Sequence, residues 1–111
     1  MSMWPDLDLA ERYRKAQEFF DAQDYRTAEA LLVEVVEEEP AHQASRLLLA
    51  RTYYHTAQLR RAEEQLRVIL EREPTEAYAH LMLGRTLQRG SRHAEAAPHL
   101  RMAAIMMGDG G

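Results

Sequence analysis

Apolar and polar side chains alternate along the chain with the spacing of amphipathic α-helices, and short breaks divide the pattern into helical segments. The clearest copy is Gln43–Pro74, where two helical patterns are joined by a short turn. In its second segment Leu66 and Ile69 lie on an apolar face, whereas Glu63 and Arg67 form an i,i+4 pair on the charged face. The same pattern occurs once before this stretch and once after it. The pattern therefore predicts three helical hairpins.

The three hairpins are copies of one repeat, because the chain matches itself at an offset of 34 residues. A small residue, a bulky residue, an alanine, a leucine and a helix breaker recur in the same order. The residues in register are Ala16, Ala50 and Gly84; Phe19, Tyr53 and Leu87; Ala28, Ala62 and Ala96; Leu32, Leu66 and Leu100; and Pro40, Pro74 and Gly108. Repeats of about 20–50 residues are typical of stacked units that bury their apolar faces against one another.

This order of residues resembles the tetratricopeptide repeat family, and the match spans Leu9–Gly108. The resemblance implies an all-α fold, a right-handed superhelical solenoid of three antiparallel helix hairpins, in a single domain over 1–111. The repeats are expected at about 9–42, 43–76 and 77–108, with a flexible tail at 109–111. Two family positions differ. The aromatic residue early in each first helix is replaced by Arg12, Arg46 and His80. The glycine between the helices is replaced by Gln23, Ala57 and Ser91.

Helix ends can also be predicted. Asp8 begins a capping-box-like sequence, and Asp24 and Thr75 can cap two further helices through their side-chain oxygens. Pro98 falls inside the expected last helix, where it removes a backbone hydrogen bond. We therefore expect that helix to begin late or to kink near Ala94.

Charge and composition narrow the possible functions. The net charge is −4, and residues 1–40 hold 11 acidic and 4 basic side chains. A negative chain is a poor candidate for nonspecific nucleic-acid binding, which needs a basic surface. The absence of cysteine excludes disulfides and thiolate chemistry. No apolar run approaches the roughly 18 residues of a membrane span, so we expect a cytoplasmic protein with neither nucleic acid nor membrane as a partner.

Candidate chemistry is absent from the sequence. The five histidines show no i,i+3 or i,i+4 spacing among themselves, no serine lies in a nucleophile elbow, and there is no glycine-rich phosphate loop. We therefore predict no enzymatic activity, no cofactor and no metal site.

The family resemblance implies a different kind of site, a concave groove that holds a segment of another protein. Arginine and tyrosine dominate binding hot spots, and Arg51, Arg85 and Arg89 on one wall favour an acidic segment. Chaperone-tail binding by a carboxylate clamp is disfavoured, since the matching positions hold no clamp residue. The lining expected by position is Tyr13, Gln17, Phe20, Leu47, Arg51, Tyr54, His55, Tyr78, Leu81, Arg85, Gln88 and Arg89.

A second hypothesis is a self-assembling structural unit. The last predicted helix is apolar almost all round and lacks the extra polar helix that generally follows in this family. It could pack on a symmetry mate or end to end against the acidic first repeat, or its end could merely fray. The candidate association residues are Leu100, Met102, Ile105, Met106 and Met107. The sequence leaves open whether the groove or this helix is the main binding surface.

Overall fold

The computed structural model describes Trp4 and residues 6–108, and this part of the chain forms six α-helices. Their bounds are α1 Leu9–Asp21, α2 Tyr25–Glu38, α3 Gln43–His55, α4 Leu59–Arg72, α5 Ala77–Arg89 and α6 His93–Met106. Each helix packs against the next one in the chain, and α3 also contacts α1 and α5. The predicted all-α stack of three helix hairpins is confirmed. The tail predicted at 109–111 lies outside the described residues.

Two of the three predicted side-chain caps are present. The Asp8 carboxylate accepts a hydrogen bond from the Glu11 backbone N–H at 2.8 Å, and that of Asp24 accepts one from Thr27 at 3.3 Å. The predicted cap at Thr75 is wrong, because Glu76 is the residue that precedes the first helical residue of α5, and its side chain makes no capping bond.

The turn within each hairpin has a residue in the left-handed conformation at the same repeat position, and none of the three residues is glycine. Gln23, Ala57 and Ser91 have φ angles of 62°, 60° and 62°. In the middle hairpin the Ala57 N–H donates to the Tyr54 carbonyl at 3.1 Å and the Gln58 N–H to that of Tyr53 at 2.8 Å. These two bonds satisfy carbonyls at the end of α3. The turn explains why the family favours glycine at this position.

The core forms two adjoining layers along the stack. One layer joins the first hairpin to α3 and includes the fully buried Leu31, Leu32 and Leu49. The other joins α3 and α4 to the third hairpin around Leu66 and Leu83. Leucines and alanines in register on the equivalent helices of successive hairpins therefore build a continuous core, as the repeat predicted.

Pro98 does not delay the last helix. Helix α6 begins at His93, in register with Tyr25 of α2 and Leu59 of α4, so the prediction of a late start is wrong. The start is set by the preceding turn, in which the Arg92 N–H donates to the Leu87 carbonyl at 2.8 Å. Pro98 itself lies on the exposed side of α6, where solvent can hydrate the carbonyl that loses its partner. The alternative, a kink near Ala94, stays a prediction.

Candidate peptide-binding groove

The apolar residues predicted to line the groove serve mainly as packing. Tyr13 lies against the first core layer, and its ring meets the His42 ring edge-on at 5.4 Å. Leu47 and Tyr78 pack against the second layer, and Leu81 is half-buried. These side chains form the floor of the surface, and the exposed polar residues above them decide what it could bind.

An aromatic cluster lies where the first two hairpins meet. The His55 ring stacks on Tyr25, with centroids 5.0 Å apart and an interplanar angle of 5°, and meets the Phe20 ring edge-on at 5.3 Å. The Tyr54 ring lies perpendicular to the His55 ring, with centroids 6.0 Å apart. Phe20, Tyr54 and His55 were predicted site residues. Tyr25 was missed because it belongs to a second helix, although an aromatic at the first residue of α2 was a visible signal.

Two of the predicted arginines lie on this aromatic cluster. The Arg51 guanidinium carbon is 4.7 Å from the centroid of the Phe20 ring, and that of Arg89 is 4.9 Å from the Tyr54 ring. Arg89 also donates from Nη1 to the Tyr54 carbonyl at 2.5 Å. Stacking on an aromatic face holds a guanidinium in place while its N–H edge stays available.

The cluster also changes the titration of its histidine. Burial, followed by the positive charges of Arg51 and Arg89, lowers the pKa of His55 below its ordinary value of 6.5. The lowered pKa favours the neutral ring of His55, so the positive charge near it comes mainly from the two arginines.

Two clefts open on this face, and they differ in charge. The first, of about 260 Å³, lies between α1 and α3 and is lined by Arg14, Gln17, Glu18, Phe20, Asp21, Leu48 and Arg51. The second, of about 500 Å³, is lined by Tyr54, Arg85, Gln88, Arg89 and His93. The first cleft contains both signs of charge, whereas the only charged side chains among the described residues lining the second are arginines.

The three arginines predicted to form one wall therefore lie in two different clefts. Arg51 lies in the first cleft near Glu18 and Asp21, while Arg85 and Arg89 share the second cleft. Sequence reasoning missed the acidic side chains of the first cleft. Asp21 could have been found, because it occupies the repeat position of His55 and Arg89.

The polar residues that replace the family's early aromatic are buried and structural. Arg12 is 7% exposed and forms an ion pair with Glu38. Arg46 is 8% exposed and donates from Nη2 to the Pro40 carbonyl at 2.9 Å and from Nη1 to Gln65 Oε1 at 2.7 Å. Both guanidiniums tie a first helix to the end of a second helix and contribute nothing to the groove.

The predicted association residues are divided between the core and the surface. Leu100 is half-buried against the second core layer, where a Cβ on Gly84 would lie 2.5 Å from its Cδ2 atom. Met106 is also half-buried. Ile105 is 71% exposed, Met102 42% and Met107 41%.

Other kinds of site receive no support from the described residues. Within Trp4 and 6–108, no group of three or more histidine, aspartate or glutamate side chains is arranged to hold a metal ion. In the same part of the chain, no helix is both long and apolar enough to cross a bilayer.

Stacked helix hairpins with a lined inner face define a class of helical-repeat proteins, and sequence comparison identifies the family. The tetratricopeptide repeat model matches residues 19–86. The chain belongs to the tetratricopeptide repeat family, whose domains generally serve protein–protein interaction and are typically non-catalytic. No curated protein sequence matches the chain.

Solved structures of MamA share this fold. MamA AMB-1 superposes with a TM-score of 0.87 at 23% identity, covering 96% of this chain and 62% of MamA. A double mutant of MamA RS-1 gives 0.85 at 26% identity, covering 95% and 58%. A further MamA mutant gives 0.84 at 22% identity, covering 92% and 75%. The present chain therefore spans about three-fifths to three-quarters of these proteins, and the likeness establishes the fold.

Proposed function

We propose that this chain is an adaptor or scaffold module that holds a segment of a partner protein against α1, α3 and α5, with acidic side chains of the segment on Arg85 and Arg89. The observation that carries the proposal is the second cleft, where two arginines stand beside Tyr54 and the described lining residues include no carboxylate. Arginine forms bidentate hydrogen bonds with carboxylates, so an acidic side chain fits this cleft.

The arrangement of Arg89 favours tight binding. Its side chain is already held by the Tyr54 ring and the Tyr54 carbonyl. An ordered arginine loses less conformational freedom on binding than a free one, and this lowers the cost of association. Arg51 is held in a similar way over Phe20, but the nearby Glu18 and Asp21 oppose an acidic ligand there.

A peptide array tests the proposal. The probes are extended peptides that combine aspartate or glutamate with an apolar anchor, each paired with its asparagine or glutamine counterpart. We expect the acidic member of a pair to bind about tenfold or more tightly, and its advantage to shrink with salt because the cleft is exposed.

Charge reversal locates the site. Arg85→Glu with Arg89→Glu should abolish the preference for acidic peptides. Arg60→Glu with Arg101→Glu changes the net charge equally at exposed positions outside the groove and should leave the preference intact. If both double variants weaken binding equally, the acidic peptides are recognised by net charge and not by the second cleft.

A second candidate function is self-association through α6. The observation that favours it is a departure from the repeat. Ile105 occupies the position of Glu37 and Glu71, and Met107 that of Glu39 and Glu73, all of which are exposed. An apolar surface thus replaces a charged one, and its burial against a second copy would be favourable.

Packing of α6 on α6 is the geometry that we favour for such a dimer. Stacking end to end would place α6 against α1, where Lys15 and Glu18 form an ion pair at 3.3 Å in place of the apolar residue and threonine of later repeats. Light scattering after size exclusion tests the idea. We expect a concentration-dependent dimer that Ile105→Glu dissociates, with Glu71→Gln as the control, and a monomer at all concentrations would exclude it.

A further inference from the structure

The third hairpin contains a histidine pair that the groove does not use. His80 of α5 is buried, and its Nδ1 atom lies 3.0 Å from Nδ1 of His99 on α6, with the ring centroids 5.3 Å apart and the ring planes inclined by 25°. The pair borders a cleft of about 280 Å³. The charged residues that line this cleft are Arg67 and Glu71, both from α4. Helices α5 and α6 contribute only the two histidines to it.

The contacts of the pair fix where its protons lie at neutral pH. His80 Nε2 is 2.7 Å from the Pro74 carbonyl, and a carbonyl can only accept, so this nitrogen carries a proton. A neutral His80 then has an unprotonated Nδ1. The short contact between the two Nδ1 atoms requires that His99 donate to His80. In this arrangement the N–H group of each neutral ring has an acceptor.

The contact between the two rings limits the number of protons that the pair can bind in acid. The four ring nitrogens hold two protons when both rings are neutral, and a third can be added on His99 Nε2 without breaking the bond. A fourth would have to sit on His80 Nδ1, where two N–H groups would face each other across 3.0 Å. The closed pair therefore takes up at most one extra proton, whereas two separated imidazoles take up two.

We propose that His80 and His99 form a proton-operated latch, which holds α6 on α5 at neutral pH and loosens it as the pH falls below about 6. The consequence is large for α6, because α5 is the only helix of the described chain whose backbone lies close to it. Opening of the latch would free the last helix and expose the core around Gly84 and Leu87.

The electrostatics of the site act in the same direction. Burial, then the neighbouring His80 and the positive charge of Arg67, lower the pKa of His99 below its ordinary value of 6.5. A group whose pKa is lowered in the closed state contributes stability that is present above 6.5 and is lost as the pH falls through and below that value.

The middle hairpin provides a natural control. The positions of His80, His99 and Pro74 are occupied 34 residues earlier by Arg46, Gln65 and Pro40. Arg46 bonds to both Gln65 and the Pro40 carbonyl, so the same connection is made without a histidine. An arginine–glutamine pair does not titrate near neutral pH.

Hydrogen exchange of the α6 amides at about pH 7.5 and about pH 5.5, corrected for intrinsic rates, tests the latch. In the unmodified chain we expect the opening equilibrium of α6 to rise by about tenfold or more, because the open state takes up one more proton than the closed pair. In His80→Arg with His99→Gln, which copies the middle hairpin, we expect a change below about twofold.

His55→Gln is the matched control, since it removes another histidine of lowered pKa outside the third hairpin. It should leave the response of α6 unchanged. The latch is excluded if α6 opens equally at both pH values in the unmodified chain, or if the double variant responds as strongly.

NMR titration of the histidine rings provides a test that needs no folded double variant. We expect His80 and His99 together to take up only one proton while α6 amides remain protected. Uptake of two protons by the pair near pH 6.5 with α6 still protected would overturn the proposal.

Discussion

The second hairpin (α3 and α4) and the third (α5 and α6) have the same frame but are held together by different contacts. Their helices contain 13 and 14 residues in each case, and both turns use a left-handed residue. At four repeat positions the two hairpins differ, and there the second hairpin has a small side chain, an arginine–glutamine pair that does not titrate near neutral pH, and a charged side chain. The third hairpin has a bare backbone, a histidine pair and an exposed isoleucine. The pairs of positions are Ala50 and Gly84, Arg46–Gln65 and His80–His99, and Glu71 and Ile105.

This difference shows that a repeat frame does not fix the stability of each repeat. The second hairpin is packed on both sides, by α2 and by α5, whereas α5 is the only helix of the described chain whose backbone lies close to α6. Sequence variation at these four positions therefore acts on a hairpin with fewer neighbours. We expect the third hairpin to open first and to be the more sensitive to pH.

The largest expected effect comes from truncating the same leucine in each hairpin. Leu66 is fully buried and Leu100 is half-buried. Leu66→Ala should lower the free energy of unfolding by about 3–5 kcal/mol and Leu100→Ala by about 1–2 kcal/mol, because only the first leaves a closed cavity. Urea unfolding measures both, and equal losses would contradict the difference in packing between the two hairpins.

The next effect concerns the close approach of α5 and α6. A Cβ on Gly84 would lie 2.5 Å from Leu100, whereas one on Gly90 would meet nothing within 3.6 Å. Gly84→Val should therefore cost about 2–3 kcal/mol by overpacking. The matched Gly90→Val should cost less than about 1 kcal/mol. An equally small cost for Gly84→Val would show that α6 moves aside freely.

A smaller effect is expected at the ionic bridge between the two hairpins. Glu63 of α4 accepts from Arg92, which precedes α6, at 2.6 Å and from Arg67 at 2.9 Å. Glu63→Gln should lower the thermal midpoint by roughly 3–6 °C. The neighbouring Glu64 is exposed and provides the control Glu64→Gln, for which we expect little change.

The same bridge predicts a dependence on acid. Burial alone would raise the pKa of Glu63, but hydrogen bonds from Arg92 and Arg67 outweigh it and hold the pKa below the ordinary 4.5. The stability that Glu63 contributes is thus present above pH 4.5 and is lost as the pH falls through its lowered pKa. The midpoint difference between the unmodified chain and Glu63→Gln should shrink as the pH is lowered through this range.

The smallest effect is expected at the turns within the two hairpins, which have the same backbone conformation. Ala57→Gly and Ser91→Gly should each stabilise the chain by about 0.5–1 kcal/mol, because glycine adopts a positive φ without strain. Ala22, at the end of α1 with a φ of −81°, is the control, and its change to glycine should give no gain. A gain at only one of the two turns would mean that their backbones are not equivalent.

Much of the fold could be predicted from the sequence because it depends on contacts that recur. The offset of 34 residues placed the hairpins, and Asp8 and Asp24 cap helices as local rules indicate. Even without glycine, the turns adopt the left-handed conformation that the repeat requires. Thr75 was misplaced by one residue, which is the usual uncertainty at a helix end.

The candidate site was less predictable because its contacts join distant residues. The His80–His99 pair spans 19 residues and two helices, so spacing within one helix could not reveal it. Tyr25 joins the aromatic cluster through packing of α2 against α1, at Phe20, and against α3, at His55. Likewise, the arginine wall was visible in sequence, but its division into a mixed and a cationic cleft follows from where Glu18 and Asp21 lie.

The carbonyl of Pro40 has a mechanical consequence for the solenoid. It accepts hydrogen bonds from Arg46 at 2.9 Å and from Arg72 at 2.6 Å, so the joint after the first hairpin is tied to both helices of the second. At the next joint the Pro74 carbonyl contacts His80, and Met106 stands where Arg72 would. Under tension or on wrapping around a partner, the solenoid should therefore act as a rigid arm through its first two hairpins and flex at the second joint.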